Sequence, residues 1–312
     1  MGTERYVKRI LSAYPELEHS RFWKPREGYG NAFEPEPCVQ RIREAFPEFA
    51  DAGYRYIEGG DHHIILMNDR TAFRFVQDNE MKDIISLLRE QAVLECLKPQ
   101  LDVPVPNFTH RPESPDFAGY EWIHGANLTW DSFRGLSDAA RADAARTFGT
   151  FLGTIHEFSV EQAIELGVEK ERPRSARNTE RHFYKRESKL EPEIHTMCKR
   201  WLPDIWAPDY TPTFIHCDVW HSHIYHDPQS GRITGIIDWG DICLMDPAYD
   251  LAGMWTYGEA FVDEVLTHYP RSDSTIKDRS LTHFKSTMLR GLLRRRGSNE
   301  FYLQILGDNW DL

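Results

Sequence analysis

The stretch FIHCDVWHSHIYHDPQSGRITGIIDWGDICLMDPAYD, residues 214–250, decides how this chain is read. Two short apolar runs, Phe214-Ile215 and Ile224-Tyr225, flank a loop that holds His216, Asp218 and His223. Asp227-Pro-Gln-Ser-Gly231 is a cluster of turn residues, and Ile233-Thr-Gly-Ile-Ile237 is a second strand-like run. The pattern predicts a hairpin that returns Asp238 to the side of the loop. Two carboxylates and an imidazole would then converge.

That convergence fits phosphoryl transfer. In the kinase template a loop Asp receives the substrate hydroxyl proton, a residue five positions later helps to hold Mg²⁺, and a second Asp ligates the same metal. Asp218, His223 and Asp238 occupy these three places. The chemistry asks the protein mainly for positioning and charge neutralisation, and hard Mg²⁺ prefers carboxylate oxygen. Taken singly, each fragment is an ordinary strand end or surface turn. The signal is their combination: His216-x-Asp218, the residue at plus five, the turn, and Ile237-Asp238-Trp239-Gly240.

A length of 312 residues with 40% hydrophobic content is enough for two lobes with real cores. No run approaches the roughly eighteen apolar residues of a membrane helix, and Met1-Gly-Thr-Glu-Arg-Tyr-Val-Lys lacks the apolar stretch of a signal peptide. A cytoplasmic protein without a membrane partner is expected, as monomer or dimer. Five cysteines, at 38, 96, 198, 217 and 243, show no metal spacing, so reduced thiols are the default. Cys217 lies between His216 and Asp218; a small side chain beneath a tight loop explains it better than a nucleophile. The net charge of 37 minus 49, or −12, argues against a nucleic-acid partner and is compatible with a cationic small-molecule substrate.

Upstream, Val7 to Leu17 and Val39 to Phe49 echo one another as short amphipathic helices stopped by Pro15 and Pro47, with a turn-rich linker Lys24 to Asn31 between them. Residues 1–34 form an extension of unknown purpose; residues 35–120 read as an N-terminal lobe. Three antiparallel strands are expected at Tyr54–Ile57, His63–Met67 and Thr71–Val76. The turn Gly59-Gly60 suits either a backbone approach to nucleotide phosphates or a plain hairpin. Arg74, in the third strand, stands where a kinase places a phosphate-contacting Lys, and a solvent-facing Arg is the alternative. Met81–Leu97 has helical spacing and carries two candidate partners for Arg74, Glu90 and Glu95.

Phe117 to Gly125 reads as a strand running into a connector at 121–125, the expected lobe boundary, with residues 121–312 as the C-terminal lobe. Ser137 caps a helix over Asp138–Phe158, where Gly149 and Gly153 point to close helix packing. Asp250 is expected to brace the backbone of the loop carrying His216. Helices are expected over Tyr257–Tyr269 and Ser274–Arg296.

Over roughly residues 37–312 the chain resembles the aminoglycoside phosphotransferase family, and within it most strongly the aminoglycoside 2''-phosphotransferases. The resemblance is carried by Phe117-Ala-Gly-Tyr-Glu-Trp-Ile-His-Gly125-Ala-Asn-Leu-Thr129, by His216-Cys-Asp-Val-Trp-His-Ser-His223, and by Gly235-Ile-Ile-Asp238-Trp-Gly-Asp241 with its Asp246-Pro sequel. It implies an α+β, bilobal protein-kinase-like fold with a small antiparallel-sheet N-lobe and a larger, mostly helical C-lobe. It also implies transfer of the γ-phosphate of ATP or GTP, with Mg²⁺, to an aminoglycoside hydroxyl, conferring resistance.

By that resemblance Asp218 is the catalytic base or the orienter of the substrate hydroxyl, His223 and Asp238 ligate Mg²⁺, and Arg74 with Glu90 forms the phosphate-side ion pair. Gly59, Gly60, Arg74 and the connector Glu121, Trp122 and Ile123 meet the nucleotide, with Tyr120 as a bulky gatekeeper that bears on ATP against GTP. Asp218, Trp220, Asp241, Trp255, Tyr257 and Glu259 face the acceptor, while His216 and Asp250 are structural. Three features depart from most of the family: Cys217 where Gly is usual, Arg74 where Lys is usual, and aromatic Trp255 and Tyr257 where acidic residues are common. Arg74 and His223 also resemble macrolide phosphotransferases, so a macrolide or other small metabolite is the alternative acceptor. A nucleotide-binding module with weak transfer is the second alternative.

Overall fold

A computed structural model describes residues 2–15, 33–58, 62–76, 81–171, 176–205, 209–271 and 273–294. In chain order the helices are α1 (Gly2–Ala13), α2 (Glu36–Ala45), α3 (Met81–Leu97), α4 (Trp130–Arg134), α5 (Asp138–His156), α6 (Val160–Glu165), α7 (Ala176–Arg186), α8 (Pro192–Trp201), α9 (Ala248–Leu251), α10 (Glu259–Thr267) and α11 (Ile276–Arg294). The strands are β1 (Tyr54–Glu58), β2 (His62–Met67), β3 (Thr71–Val76), β4 (Phe108–His110), β5 (Phe117–Glu121), β6 (Ala126–Asn127), β7 (Thr213–Ile215), β8 (Ile224–His226), β9 (Ile233–Ile236) and β10 (Cys243–Met245). No helix among the described residues is long and apolar enough to cross a membrane.

The chain divides into two units, residues 1–124 with 161–168, and residues 125–160 with 169–312. Residues 161–168 therefore depart from the expectation that everything after the connector belongs to the C-terminal lobe. The Tyr6 ring of α1 lies against Gly167, whose φ of +83° suits a residue without a side chain. Tyr6 and Ile10 are buried, so α1 packs as part of the first unit. The linker Lys24 to Asn31 and Gly59-Gly60 lie outside the described residues.

In the first unit five antiparallel strands run in the order β1-β2-β3-β5-β4. Alternating aromatic side chains make the core: Phe75 and Phe117 stack with centroids 4.4 Å apart, beside Phe73, Ile65 and Ile42. Gly119 is needed in β5 because a side chain there would run into the Phe73 ring at 2.7 Å or less. Helix α2 is fastened to the sheet by Arg41, which makes two bonds to Asp116 at 2.6 and 2.7 Å and lies 4.9 Å over the Phe117 ring.

In the second unit α5 begins where Ser137 Oγ accepts from Ala140 N at 3.2 Å, and ends at His156, two residues before the expected Phe158. A methyl group on Gly149 would meet Val265 O and His268 Cβ at 2.6 Å, so the close packing expected of Gly149 is against α10 and the residues after it. Helix α10 starts at Glu259 rather than Tyr257, because residues 252–257 form a tight 3-10 turn and Gly258, at φ +94°, breaks it. Helix α11 starts at Ile276 after Asp273 Oδ1 has accepted from Thr275 N and Oγ at 3.0 and 2.8 Å.

The predicted hairpin is β8 and β9, with Ile224 opposite Ile236. The strand over Phe214-Ile215, β7, pairs instead with β10, Ile215 opposite Cys243.

Candidate functional site

The hairpin register explains how Asp238 reaches the loop. Ile224 faces Ile236, and Ile237 N donates to His223 O at 3.0 Å, so Asp238 emerges beside His223. The turn closing the hairpin is held by Asp227, whose carboxylate accepts from Gln229 N at 3.1 Å and Ser230 Oγ at 2.6 Å, and by Gly231 at φ +74°. On the other side, Trp220 N donates to Asp218 O at 3.0 Å and His223 N to Trp220 O at 2.8 Å, folding 218–223 into consecutive turns.

The result is a cluster in which one ligand atom each of Asp218, His223 and Asp238 lies within 4.8 Å of the others. His223 Nδ1 is 3.1 Å from Asp218 Oδ2 and Nε2 is 3.4 Å from Asp238 Oδ2. Burial alone would lower the His223 pKa, but the hydrogen bond it donates to Asp218 and both carboxylate charges raise it to about 9. Without a cation the imidazolium thus bridges the two carboxylates. The site remains open to solvent, with the Asp238 side chain 42% exposed.

Behind the loop lies a buried support. Asp250, on α9, accepts from His216 N at 2.8 Å and Cys217 N at 2.7 Å. Cys217 has φ +70°, a conformation that costs a residue with a Cβ about 1–2 kcal/mol. A glycine at this place would adopt the same conformation without that cost. Packing against Ile215 and Cys243 and the Asp250 bond hold the half-buried Cys217 here, and its thiol pKa is raised by its hydrogen bond to Cys243 and by desolvation, as suits an inert thiol.

His216 is fully buried, its Nδ1 accepts from Asp218 N at 3.2 Å, and its ring lies 4.5 Å from that of Trp239. Burial lowers its pKa, so it is a neutral structural ring. Asp238 itself sits at φ +66°, followed by Trp239, which is fully buried and donates from Nε1 to Ile236 O at 3.2 Å.

Two further devices support the site: the partners of Asp246, which its place in the motif did not indicate, and the close approach of Gly253. Asp246 is buried and receives Arg279 Nε at 3.1 Å and His283 Nε2 at 2.9 Å, tying the start of α9 to α11. Gly253 lies so close to Val219 O that a Cβ would collide with the loop backbone.

The first unit contains the ion pair expected on the phosphate side. Arg74 Nη1 and Glu90 Oε1 are 2.7 Å apart, with side chains only 5% and 1% exposed. Arg74 is therefore not a solvent-facing strand residue. Glu95 pairs instead with Arg111 at 2.5 Å. Tyr120 is buried edge-on against Phe108 at 5.2 Å, Glu121 is exposed, and Trp122 N donates to Arg70 O at 2.7 Å, so that amide is spent inside the unit.

The expected acceptor face needs correction. Trp255 and Tyr257 are 1% and 4% exposed; Trp255 Nε1 donates to Ser280 Oγ at 2.8 Å and Tyr257 Oη to Leu128 O at 2.6 Å. They are core residues, because the 3-10 turn directs both rings inward. Glu259 is exposed but held by Lys277 Nζ at 2.8 Å. Trp220 is half-buried in the loop and Asp241 is exposed beyond the hairpin.

Comparison with known proteins places these features. Residues 68–281 match the model of the phosphotransferase enzyme family. Uncharacterized protein YcbJ of Bacillus subtilis (strain 168) is 26% identical over 238 residues, covering 70% of this chain and 74% of that protein. The GDP complex of wild-type aminoglycoside 2'-phosphotransferase-IIIa is similar with a TM-score of 0.71 and 23% identity, over 88% of this chain and 98% of that one. Macrolide 2'-phosphotransferase MphH from Brachybacterium faecium is similar with a TM-score of 0.60 and 19% identity, over 86% and 95% of the two chains. The architecture is the α+β kinase-like fold of these enzymes, and the chain belongs to the phosphotransferase enzyme family.

Proposed function

We propose that this phosphotransferase moves the γ-phosphate of ATP or GTP to a hydroxyl of a small molecule, an aminoglycoside by the leading reading, with the Asp218–His223–Asp238 cluster as its centre. The observation that carries the reading is the packing of those three side chains into one solvent-open cluster on a loop whose backbone is clamped from below. Asp218 takes the proton of the acceptor hydroxyl as its oxygen bonds to phosphorus and the bond to the nucleoside diphosphate breaks. The buried Arg74–Glu90 pair is suited to hold a cation against nucleotide phosphate oxygens.

The cluster fits Mg²⁺ through its carboxylates; Asp238 would hold it, and His223 would join only after losing its proton. Bound there, Mg²⁺ supplies neutralisation of phosphate charge.

The Lys277–Glu259 pair favours a second reading, in which the acceptor is a macrolide or another weakly charged metabolite. It removes one carboxylate from those able to meet an ammonium group. The burial of Trp255 and Tyr257 leaves neither ring to form an aromatic face for such an acceptor. The deciding experiment is phosphate transfer from ATP and from GTP to a panel of aminoglycosides and macrolides. Turnover requiring one acceptor class is expected. Nucleotide binding without transfer to any hydroxyl would leave only the weak-transfer module.

A further inference from the structure

Asp250 has a third partner that the clamp on the loop does not by itself require. His156, the last residue of α5, places Nε2 3.2 Å from Asp250 Oδ2, and its Nδ1 lies 2.8 Å from Tyr269 Oη. The side chains of His156 and Asp250 have no exposed surface, and Tyr269 is 7% exposed. The rings of His156 and Tyr269 meet edge to face with centroids 5.6 Å apart, and Arg271 Nη1 donates to His156 O at 2.6 Å. All of these groups belong to the second unit.

An ionised carboxylate only accepts, so His156 Nε2 carries a proton and donates to Asp250. With the ring neutral, Nδ1 is then the acceptor and the Tyr269 phenol donates to it; with the ring protonated, Nδ1 donates to Tyr269 Oη, and the contact to Asp250 is the same in both states. Burial raises the Tyr269 pKa, which keeps the phenol protonated. With Oδ2 directed by His156, the same carboxylate reaches both His216 N and Cys217 N. Those amides precede Asp218 directly, and one belongs to a residue in the left-handed region.

We propose that Tyr269 and His156 are positioning residues for phosphoryl transfer: through Asp250 they hold Cys217 in its left-handed conformation and so aim the Asp218 carboxylate. Neither touches a reacting atom. Loss of His156 leaves the Asp250 carboxylate held only by the two loop amides it is meant to position, so carboxylate and loop can shift together, and a displacement of the reacting group by about 1 Å costs on the order of 100-fold in rate.

The test combines kinetics, which rest on the transferase reading, with amide hydrogen exchange, which does not. His156→Ala is expected to lower kcat at least about tenfold with nucleotide KM nearly unchanged. It should also speed exchange in peptides covering 214–218 while the β8–β9 hairpin stays protected. His156→Gln, whose amide can donate from near the Nε2 position, should restore much of both. Unchanged exchange over 214–218 in His156→Ala overturns the proposal whatever the rate does. If that variant does not fold, Tyr269→Phe decides in the same way, faster exchange supporting the relay and wild-type exchange refuting it. A wild-type protein that transfers no phosphate defeats the function proposed above and leaves the exchange result standing.

Discussion

Gly253→Ala tests how the catalytic loop is supported. Gly253 lies in the 3-10 turn 252–257, and a methyl there would be driven into the carbonyl oxygen of Val219, next to Asp218. A carbon and a carbonyl oxygen meet comfortably at about 3.3–3.6 Å, so one of the two backbones must retreat. The obstacle is main chain and cannot swing away as a side-chain tip does. Val219 is 2% exposed, which closes the outward route, and its neighbours are tied by the Trp220 N to Asp218 O bond. Overpacking of this kind costs about 1–3 kcal/mol, against a conformational gain of up to about 1 kcal/mol for Gly→Ala in a helical turn. A net loss of about 1–2 kcal/mol follows.

The larger effect falls on chemistry, because the loop that moves carries Asp218; a shift near 1 Å predicts a fall in kcat on the order of 100-fold. Urea unfolding and steady-state transfer, run beside Gly53→Ala, measure both. In that control the new methyl meets nothing nearer than Asn68 Oδ1 at 4.0 Å, so it should behave as wild type. A Gly253→Ala protein with wild-type kcat and undiminished stability would refute the reasoning.

Three further outcomes follow from the charged side chains of the two units. Glu90→Ala leaves the Arg74 guanidinium without its carboxylate in the core of the first unit and should cost about 3–5 kcal/mol in urea unfolding, with nucleotide affinity lost as well. Against its burial, the bonds from His283 and Arg279 lower the Asp246 pKa, so its stabilisation is full above the ordinary aspartate pKa near 3.9 and is lost as pH falls through the lower folded value. Acid-unfolding curves of Asp246→Asn should be flatter there than wild type. His223, raised to about 9, contributes to metal-free stability below the free imidazole pKa near 6.5 and loses that contribution as pH rises through about 9. Mg²⁺ titrations should show affinity rising with pH over that window, and His223→Asn should remove the dependence.

Local pattern carried much of the site. The turn residues 227–231 and the period of the flanking runs placed Asp238 beside His223, because a hairpin register is set within a dozen residues. Helix α3 brought Glu90 to Arg74, a choice over Glu95 that spacing alone left open and that burial decided. What stayed illegible depends on distant segments. The pairing of β7 with β10, the joining of residues 161–168 to the first unit, and the clamp of Arg279 and His283 on Asp246 each link residues that no periodicity relates.

Trp255 and Tyr257 misled for a physical reason. Aromatic residues near a site suggest a binding face, but a 3-10 turn broken at Gly258 turned both rings into the core. Gly253 offered no signal because close approach to a backbone oxygen leaves nothing in the sequence but a glycine.

The central claim is that Asp218 receives the acceptor's proton in a metal-assisted phosphoryl transfer. Asp218→Asn keeps the shape of the side chain and removes its basicity, so it should bind nucleotide as wild type does while transfer of labelled γ-phosphate to the identified acceptor falls by about 10²–10⁴-fold. Transfer within about twofold of wild type at equal nucleotide occupancy would contradict the account, since general-base assistance of the expected size would then be absent.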